Sequence, residues 1–462
     1  MSDTSATPSG VNKLYFAVWR WHFYAGLYVI PFLIMLAVTG IVMVWFTAIA
    51  PEYGERLVVA PQPQSLSISD QANAALATHP EGKIGQYIAP HDAMTPAIYR
   101  VDLADGQRMI AVDPYTGSVL RDVENGATWY TLANDIHGTL LIGDLGDRLV
   151  EIAASLGMLL VITGLYLVWP RNGSGIRRLL LPDLRAKGRA WWKSLHGVLG
   201  FWISIGLVFF LISGLSWAGI WGEKYVQAWS TFPAAKWDNV PLSDKRHKDM
   251  NMTADDTVPW GLEQTPMPMS GSDAGVDGLP MGAAVTLENI VGLGRAIGFH
   301  GRFQVALPAD EAGVWTLSQD SNSYDGPDPT ADRTVHIDQY TGKILAQVGF
   351  ADYGLAAKSM AVGIALHEGQ LGLWNVVLNI GFCLIVMFVC VSGVVMWWTR
   401  RPAGALRLAA PPKPAAVPLR GVALIALVLG VAFPMLGVTL VAVLLLDFLV
   451  LQNVQAMKRA FS

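Results

Sequence analysis

Cysteine and charged residues are both scarce in this chain of 462 residues. Only two cysteines occur, Cys383 and Cys390, and 15% of the residues are charged. Both cysteines fall in one apolar run, on one face of a helix but too far apart for a disulfide, so we expect them only to pack. The net charge of -4 does not suggest nucleic-acid binding, which is typical of proteins with a basic surface.

Motifs of several soluble enzyme classes are also missing. The chain contains no phosphate-binding loop, no Ser-His-Asp grouping and no metalloprotease motif. Nothing in it is typical of a flavin-binding or nicotinamide-binding fold. If the protein takes part in a redox reaction, its reductant must therefore come from a separate partner.

Long hydrophobic runs are what the chain has instead. Hydrophobic residues make up 52% of it and concentrate in four runs, at 23–49, 149–169, 195–221 and 371–398. Each run is long enough to cross a hydrocarbon core of about 30 Å as a helix. The first run exceeds the apolar part of a signal peptide, which has about 7–15 residues, so we expect a retained anchor. The sequence thus predicts a polytopic α-helical protein in a lipid bilayer.

Lysine and arginine residues predict the orientation of these spans. They precede the first span, crowd the loop at 171–194, and follow the fourth span as Arg400 and Arg401. Because such residues are enriched on the cytoplasmic side, we expect 50–148 and 222–370 to face the periplasm of a bacterium. The spans would lie in the inner membrane, with both termini of the chain in the cytoplasm.

The apolar tail at 419–454 predicts two further short helices. As one straight helix it would exceed about 50 Å, more than the bilayer needs, and Phe433-Pro434 interrupts it. A helical hairpin is favoured, and a single kinked, tilted helix is the alternative.

The predicted organisation is as follows: 1–49, cytoplasmic N-terminus and first span; 50–148, first periplasmic domain; 149–170, second span; 171–194, basic loop; 195–221, third span; 222–370, second periplasmic domain; 371–399, fourth span; 400–418, cytoplasmic linker; 419–454, hairpin; 455–462, cytoplasmic tail.

An internal repeat relates the two halves of the chain. Asp113-Pro114-Tyr115-Thr116-Gly117 in the first outer segment matches Asp338-Gln339-Tyr340-Thr341-Gly342 in the second, and both are typical of tight turns between strands. His22 precedes Thr39-Gly40 by the same interval at which His196 precedes Ser213-Gly214. The sequence therefore predicts a duplicated unit of helix, outer α+β domain and helix.

Four histidines beside the spans are the candidate cofactor ligands. His22 and His196 fall at the cytoplasmic ends of the first and third spans, and His137 and His367 precede the second and fourth spans on the outer side. Two histidines at each face are the axial ligand set for two haems. Gly138 and Gly197, each next to a histidine, would leave room for a flat macrocycle. The alternative is that the four histidines form a duplicated structural cap.

The other histidines and the methionines give weaker signals. We assign no role to the remaining five histidines, which are His79, His91, His247, His300 and His336. Thioethers near His247 would suit Cu(I), although packing against the outer domain is the favoured interpretation; these methionines are Met250, Met252, Met267, Met269 and Met281.

The motifs around the four histidines resemble those of a known family. They are Trp21-His22, Asn134-Asp135-Ile136-His137-Gly138-Thr139, Leu195-His196-Gly197 and Leu366-His367-Glu368-Gly369-Gln370. With the two Tyr-Thr-Gly turns, they resemble the PepSY-associated transmembrane helix proteins of bacterial inner membranes, often found with siderophore uptake. The resemblance implies two periplasmic PepSY domains and a four-helix core in which His22, His196, His137 and His367 bind two b-type haems. Some members look like ferric-siderophore reductases.

The hypothesis at this point is transmembrane electron transfer through two bis-histidine haems b. A cytoplasmic or membrane electron donor would supply the electrons, and a periplasmic ferric siderophore or other Fe(III) chelate would accept them. No catalytic residue can be assigned from the sequence. The alternatives are a non-enzymatic PepSY sensor or binding protein, and copper handling through the methionine-rich outer loop.

Overall fold

The chain folds into two compact units. The computed structural model describes residues 10–171, 175–230, 237, 239–250, 258–320, 323–401, 408–412, 419–446 and 449. A helical unit comprises the described residues within 1–40, 136–226 and 380–462, and a sheet unit comprises those within 41–135 and 227–379.

Among the described residues, four helices are long and apolar enough to cross a membrane, which confirms the four predicted spans. Their bounds are α1 Gly10–Val44, which continues as a π-helix over Trp45–Ile49, then α4 Asp144–Val168, α6 Arg189–Leu215 and α10 Leu373–Arg400. The short helices α3 Trp129–Thr139 and α5 Arg177–Leu180 lie between them. Helix α6 begins and ends six residues before the predicted third span, because Gly188 with a φ of 56° stands at its start and a turn follows Ser216.

Small residues bring α4 and α6 close together. A Cβ atom on Gly157 would lie only 3.1 Å from the Leu211 side chain, so glycine is needed for this approach. The buried Glu151 carboxylate on α4 accepts the N–H groups of Ile220 and Trp221, at 3.2 and 3.1 Å. These bonds satisfy backbone groups in the turn after α6, which would otherwise be unpaired in an apolar environment.

The apolar tail forms two helices rather than one. They are α11 Leu419–Ala432 and α12 Pro434–Leu446. A Cβ atom on Gly430 would lie 3.1 Å from the Cα atom of Gly437, so the chain folds back on itself after α11, as the predicted hairpin requires. Phe433 and Leu436 join the buried cluster of the helical unit. Residues 447–448, 450–454 and 455–462 of the predicted hairpin and tail lie outside the described residues.

The sheet unit is built on one antiparallel sheet of eight described strands, ordered β10-β9-β8-β7-β1-β2-β3-β4. The strands are β1 Lys83–Ile88, β2 Ala97–Asp102, β3 Gln107–Val112, β4 Val119–Glu124, β7 Gln304–Ala306, β8 Val314–Gln319, β9 Arg333–Asp338 and β10 Ile344–Gly349. A separate pair is β5 Leu242–Arg246 and β6 Pro266–Pro268. The remaining helices of this unit are α2 Ile68–Leu76, α7 Gln227–Ser230, α8 Leu287–Ala296 and α9 Leu355–Glu368.

The two predicted outer domains share this sheet. Strands β1 and β7 pair antiparallel, with Tyr87 opposite Val305. The pairing covers two edges that would otherwise expose unpaired backbone groups. Helices α2 and α8 pack on the same buried cluster, which contains Ala75, Ile290 and Phe303. The sequence predicts two small domains, whereas their strands and helices contribute to one common core.

The two Tyr-Thr-Gly segments form matching turns between β3 and β4 and between β9 and β10. Gly117 and Gly342 have φ angles of 73° and 68°, as the predicted tight turns require. Their N–H groups donate to the carbonyls of Asp113 and Asp338, at 2.9 and 3.0 Å. The Asp113 side chain also accepts the N–H group of Tyr115, at 2.9 Å. The Asp338 side chain is fully buried and accepts more bonds, from the N–H groups of Tyr340, Thr341 and Gly271, each at 2.8 Å.

Asp338→Ala should destabilise the sheet unit more than Asp113→Ala. Removing the Asp338 carboxylate leaves three partly buried N–H groups without their acceptor, a loss of about 1–3 kcal/mol. Burial raises the pKa of Asp338, but the N–H groups of Thr341, Gly271 and Tyr340 outweigh burial and lower this pKa below its usual range. The stabilisation is therefore present above the unfolded-state pKa of about 3.9 and is lost as the pH falls through the folded-state value.

Hydrogen exchange of the β9 and β10 amides would measure this effect. We expect faster exchange in the Asp338 variant at pH 7 and a smaller difference from wild type in strong acid. Equal exchange in the Asp338 and Asp113 variants would contradict the assigned role.

Candidate functional site

The helical unit contains a large, mostly apolar cavity of about 1650 Å³. It is bounded by parts of α1, α4, α6 and α10 and by the segment around α5. Both His22 and His196 line it. The volume exceeds the roughly 300–1000 Å³ of an ordinary small-molecule pocket, so the cavity has room for a large, flat cofactor.

His22 on α1 and His196 on α6 face each other at this cavity. Their ring centroids are 6.4 Å apart, and the ring planes are at 87°. Two imidazoles on opposite sides of one metal ion would have centroids about 6 Å apart, since a metal–nitrogen bond is about 2 Å long and the ring centre lies about 1 Å behind the nitrogen. The observed separation therefore fits two axial ligands of one metal.

Hydroxyl groups on neighbouring helices hold the Nδ1 atoms of both rings. His22 Nδ1 lies 2.9 Å from Thr163 Oγ1 on α4, and the same hydroxyl donates to the carbonyl of Leu159 at 2.6 Å. Because that hydroxyl has a single hydrogen, Nδ1 of His22 must be the donor. This tautomer leaves the Nε2 lone pair of His22 available for a metal.

His196 is held in the same way. Its Nδ1 atom lies 2.8 Å from Ser392 Oγ on α10 and 3.1 Å from the carbonyl of Val389. A carbonyl oxygen can only accept, so Nδ1 is again the donor and Nε2 is unprotonated. An Nδ1–H bonded to a second group is the usual arrangement for a metal-binding histidine.

His137 on α3 repeats the pattern. Its Nδ1 atom lies 2.8 Å from Thr39 Oγ1 on α1, and Thr39 also donates to the carbonyl of Met35 at 2.8 Å. Burial lowers the pKa of His137 to about 4, so the ring is neutral at pH 7. A Cβ atom on Gly138 would meet nothing, so there is open space beside this histidine.

His367 lies in the sheet unit, in the last turn of α9. Asn379 Nδ2 donates to the carbonyls of His367 and Leu366, at 2.8 and 2.9 Å. These bonds satisfy carbonyls at the end of α9, where the chain turns at Gly369 with a φ of 83°. The structure thus brings His22 and His196 together, and the pairing of His137 with His367 stays a prediction.

The Thr-Gly and Ser-Gly pairs have a role that sequence reasoning missed. In Thr39-Gly40, Thr163-Gly164 and Ser392-Gly393, the hydroxyl residue orients a histidine through its Nδ1 atom. The glycine that follows then leaves room for the ring, since a Cβ atom on Gly164 would lie 3.2 Å from Cε1 of His22. The signal available in the sequence was the hydroxyl residue that precedes each of these glycines.

The rest of the cavity wall combines open space with positive charge. A Cβ atom on Gly200 would meet nothing within 4 Å, whereas one on Gly197 would meet Val168 at 3.2 Å. Gly197 is thus explained by packing as well as by cofactor space. Six basic residues also line the cavity, namely Arg177, Arg178, Arg185, Arg189, Lys193 and Arg400. Such residues bind carboxylates.

The family model described as the PepSY-associated TM region matches residues 19–400. The chain belongs to this family. Comparison with curated proteins finds no match. The matched part of this PepSY-associated protein contains all four predicted ligands.

The residues of this PepSY-associated protein fit a haem rather than a bare metal ion. Where the structure describes the chain, no group of three or more His, Cys, Asp or Glu residues is arranged to hold a metal. His22 and His196 offer two nitrogen ligands, and a porphyrin brings the other four itself. The cavity beside them and its basic lining suit a large ring with carboxylate substituents.

Proposed function

We propose that this membrane protein binds haem between His22 and His196 and carries electrons across a bacterial inner membrane. The observation that carries the proposal is the pair of histidines at one cavity, with ring centroids 6.4 Å apart. Each is held through Nδ1 and has an unprotonated Nε2 atom. A structural cap does not need two rings whose Nε2 lone pairs are both left available at one cavity. It also does not need the open space beside Gly200.

The chain's own residues set the properties of this centre. A haem held by His22 and His196 would supply a one-electron carrier. Thr163 and Ser392 fix the ring orientations, and their hydrogen bonds make the imidazoles better donors. The walls of the cavity are mostly apolar, and its basic residues would bind the haem carboxylates.

We propose a second haem on His137 and His367. The support is the sequence repeat, together with the Thr39 hydroxyl, which holds His137 as Thr163 holds His22. Two centres would divide the hydrocarbon core of about 30 Å into shorter transfers. The basic loop residues orient the protein so that a cytoplasmic or membrane donor reduces the His22–His196 centre.

The proposed acceptor is an Fe(III) chelate in the periplasm, such as a ferric siderophore. Hard oxygen donors hold Fe(III) tightly, and reduction lowers the charge on the metal and weakens their grip. The proposed reaction is therefore a one-electron reduction that releases iron on the outer side.

Copper handling by the methionine-rich loop gains no support from the residues described. Met267 is buried with Val314 and Leu345, and Met250 packs against the same cluster. Met281 is fully exposed, and Met252 lies outside the described residues. Packing accounts for the first two methionines.

Haem stoichiometry on the purified, full-length protein tests the proposal. We expect two haems per chain and the sharp absorption bands of reduced b-type haem. A colourless protein, purified after expression with ample haem, would favour a sensor or binding protein instead.

Thr163→Val should weaken haem binding about 10- to 100-fold, which is the usual effect of removing such a supporting hydrogen bond. Valine has nearly the shape of threonine but cannot accept from Nδ1 of His22. Thr163→Ser, the matched control, keeps the hydroxyl and should bind haem as wild type does. Competition with a haem-binding apoprotein would measure both affinities, and equal affinities of the valine and serine variants would refute the role.

A further inference from the structure

Two buried histidines in the sheet unit form a second histidine pair. His247, in the one-turn 3-10 helix His247–Met250, and His336, on β9, are 1% and 0% exposed. Their Nε2 atoms face each other at 2.8 Å. Sequence reasoning gave neither residue a role.

The hydrogen bonds around the pair determine which nitrogen atoms carry protons. His247 Nδ1 lies 2.7 Å from the carbonyl of Thr265, so it must be a donor. Nε2 of neutral His247 then accepts from Nε2–H of His336. Nδ1 of His336, 2.9 Å from Thr316 Oγ1, in turn accepts from that hydroxyl. Both rings are buried, and burial disfavours the charged form of an imidazole, so this neutral arrangement holds.

The arrangement of the two histidines resembles a metal site with two ligands. Each Nδ1 is anchored to an oxygen that can accept a hydrogen bond, as in metal-binding histidines, and the two Nε2 atoms converge. Trp237 packs its ring against both imidazoles, with centroids at 5.2 and 5.7 Å, and keeps water from the pair. The half-buried Met250 packs against the same cluster as Trp237.

We propose that His247 and His336 bind one Cu(I) ion between their Nε2 atoms. Two metal–nitrogen bonds of about 2 Å would require the Nε2 atoms to separate to about 4 Å. The proton on Nε2 of His336 moves to its Nδ1, and the Thr316 hydroxyl rotates from donor to acceptor. No proton is released, and Nδ1 of His336 keeps its hydrogen bond to Thr316. This proposal is independent of the haem proposal.

Monovalent copper is the cation that these ligands suit. Cu(I) is stable with two ligands in a line and binds imidazole and thioether well. Zn(II) needs four ligands in a structural site, and the described surroundings of the pair offer two imidazoles within an apolar cluster. Two neutral ligands also suit a cation of low charge in a buried site, since burying a divalent charge without an anionic partner costs more.

A competition experiment on the full-length, haem-loaded protein in detergent tests the site. Cu(I) is added under anaerobic, reducing conditions with bicinchoninate as the competing chelator. We expect wild type to retain one Cu(I) per chain, and His247→Gln and His336→Gln to bind it at least tenfold more weakly. His79→Gln is the matched control, because His79 bonds to Asp122 at 2.8 Å and takes no part in the pair. Equal retention by all four proteins, or no retention, would overturn the proposal.

The X-ray absorption spectrum of copper-loaded wild type gives a result that does not depend on the folding of the variants. Two nitrogen neighbours and no sulfur are expected. A sulfur-dominated spectrum would place copper on methionines and refute the site. Tight one-to-one Zn(II) binding that the glutamine variants lose would overturn the choice of a monovalent cation. A colourless protein that still retains Cu(I) would count against the haem proposal alone.

Discussion

Alanine at His22 or at His196 should halve the haem content of the purified protein. Each variant removes one of two imidazoles that meet at a single cavity, so either change should remove the same centre. Axial ligation supplies much of the binding energy of a haem in an apolar site. Absorption of the reduced protein, with haem measured per chain, provides the readout.

His300→Ala is the control for this experiment, because His300 is exposed in the sheet unit. It should leave two haems per chain. Added imidazole should restore part of the lost absorption in the His22 and His196 variants, since alanine leaves a space that the free ligand can fill. If both variants kept their full haem content, the ligand assignment would be wrong.

The largest effect on activity is expected from His367→Ala, with the same outcome for His137→Ala. Each should abolish reduction of an Fe(III) chelate on the outer side, because the proposed route leaves the membrane through the second haem. The His22–His196 centre should survive and keep its absorption. Liposomes that contain the protein, with a reductant inside and a ferric chelate outside, would measure the rate.

His91→Ala serves as the matched control, since His91 is an exposed histidine of the sheet unit. It should reduce the chelate at the wild-type rate. Full activity in the His367 variant would eliminate the proposed route, even if both haems were present in wild type.

Hydropathy was sufficient to predict the four spans, because the length of an apolar run is a local property of the chain. Hydropathy predicted the ends of these spans less accurately. Helix α6 starts at Arg189 rather than near Leu195, since long basic side chains tolerate a position at the membrane edge. The repeat intervals also predicted that His22 and His196 lie at the same end, and the structure brings the two together.

Contacts between distant parts of the chain could not be predicted in this way. Nothing in a one-dimensional pattern shows that the Thr163 hydroxyl meets Nδ1 of His22. His247 and His336 were missed because one follows a short strand and the other lies inside a central strand, 89 residues away. The β1–β7 pairing joins residues such as Tyr87 and Val305, and edge pairing over such a separation has no sequence signature.

The β1–β7 pairing has a mechanical consequence. One sheet contains both the strands of the segment after α1 and the strands of the segment after α6. Helices α2 and α8 pack on its shared core. Neither half can move relative to the other without breaking backbone hydrogen bonds between β1 and β7. Motion of one half is therefore coupled to the other half through this pairing and the shared core.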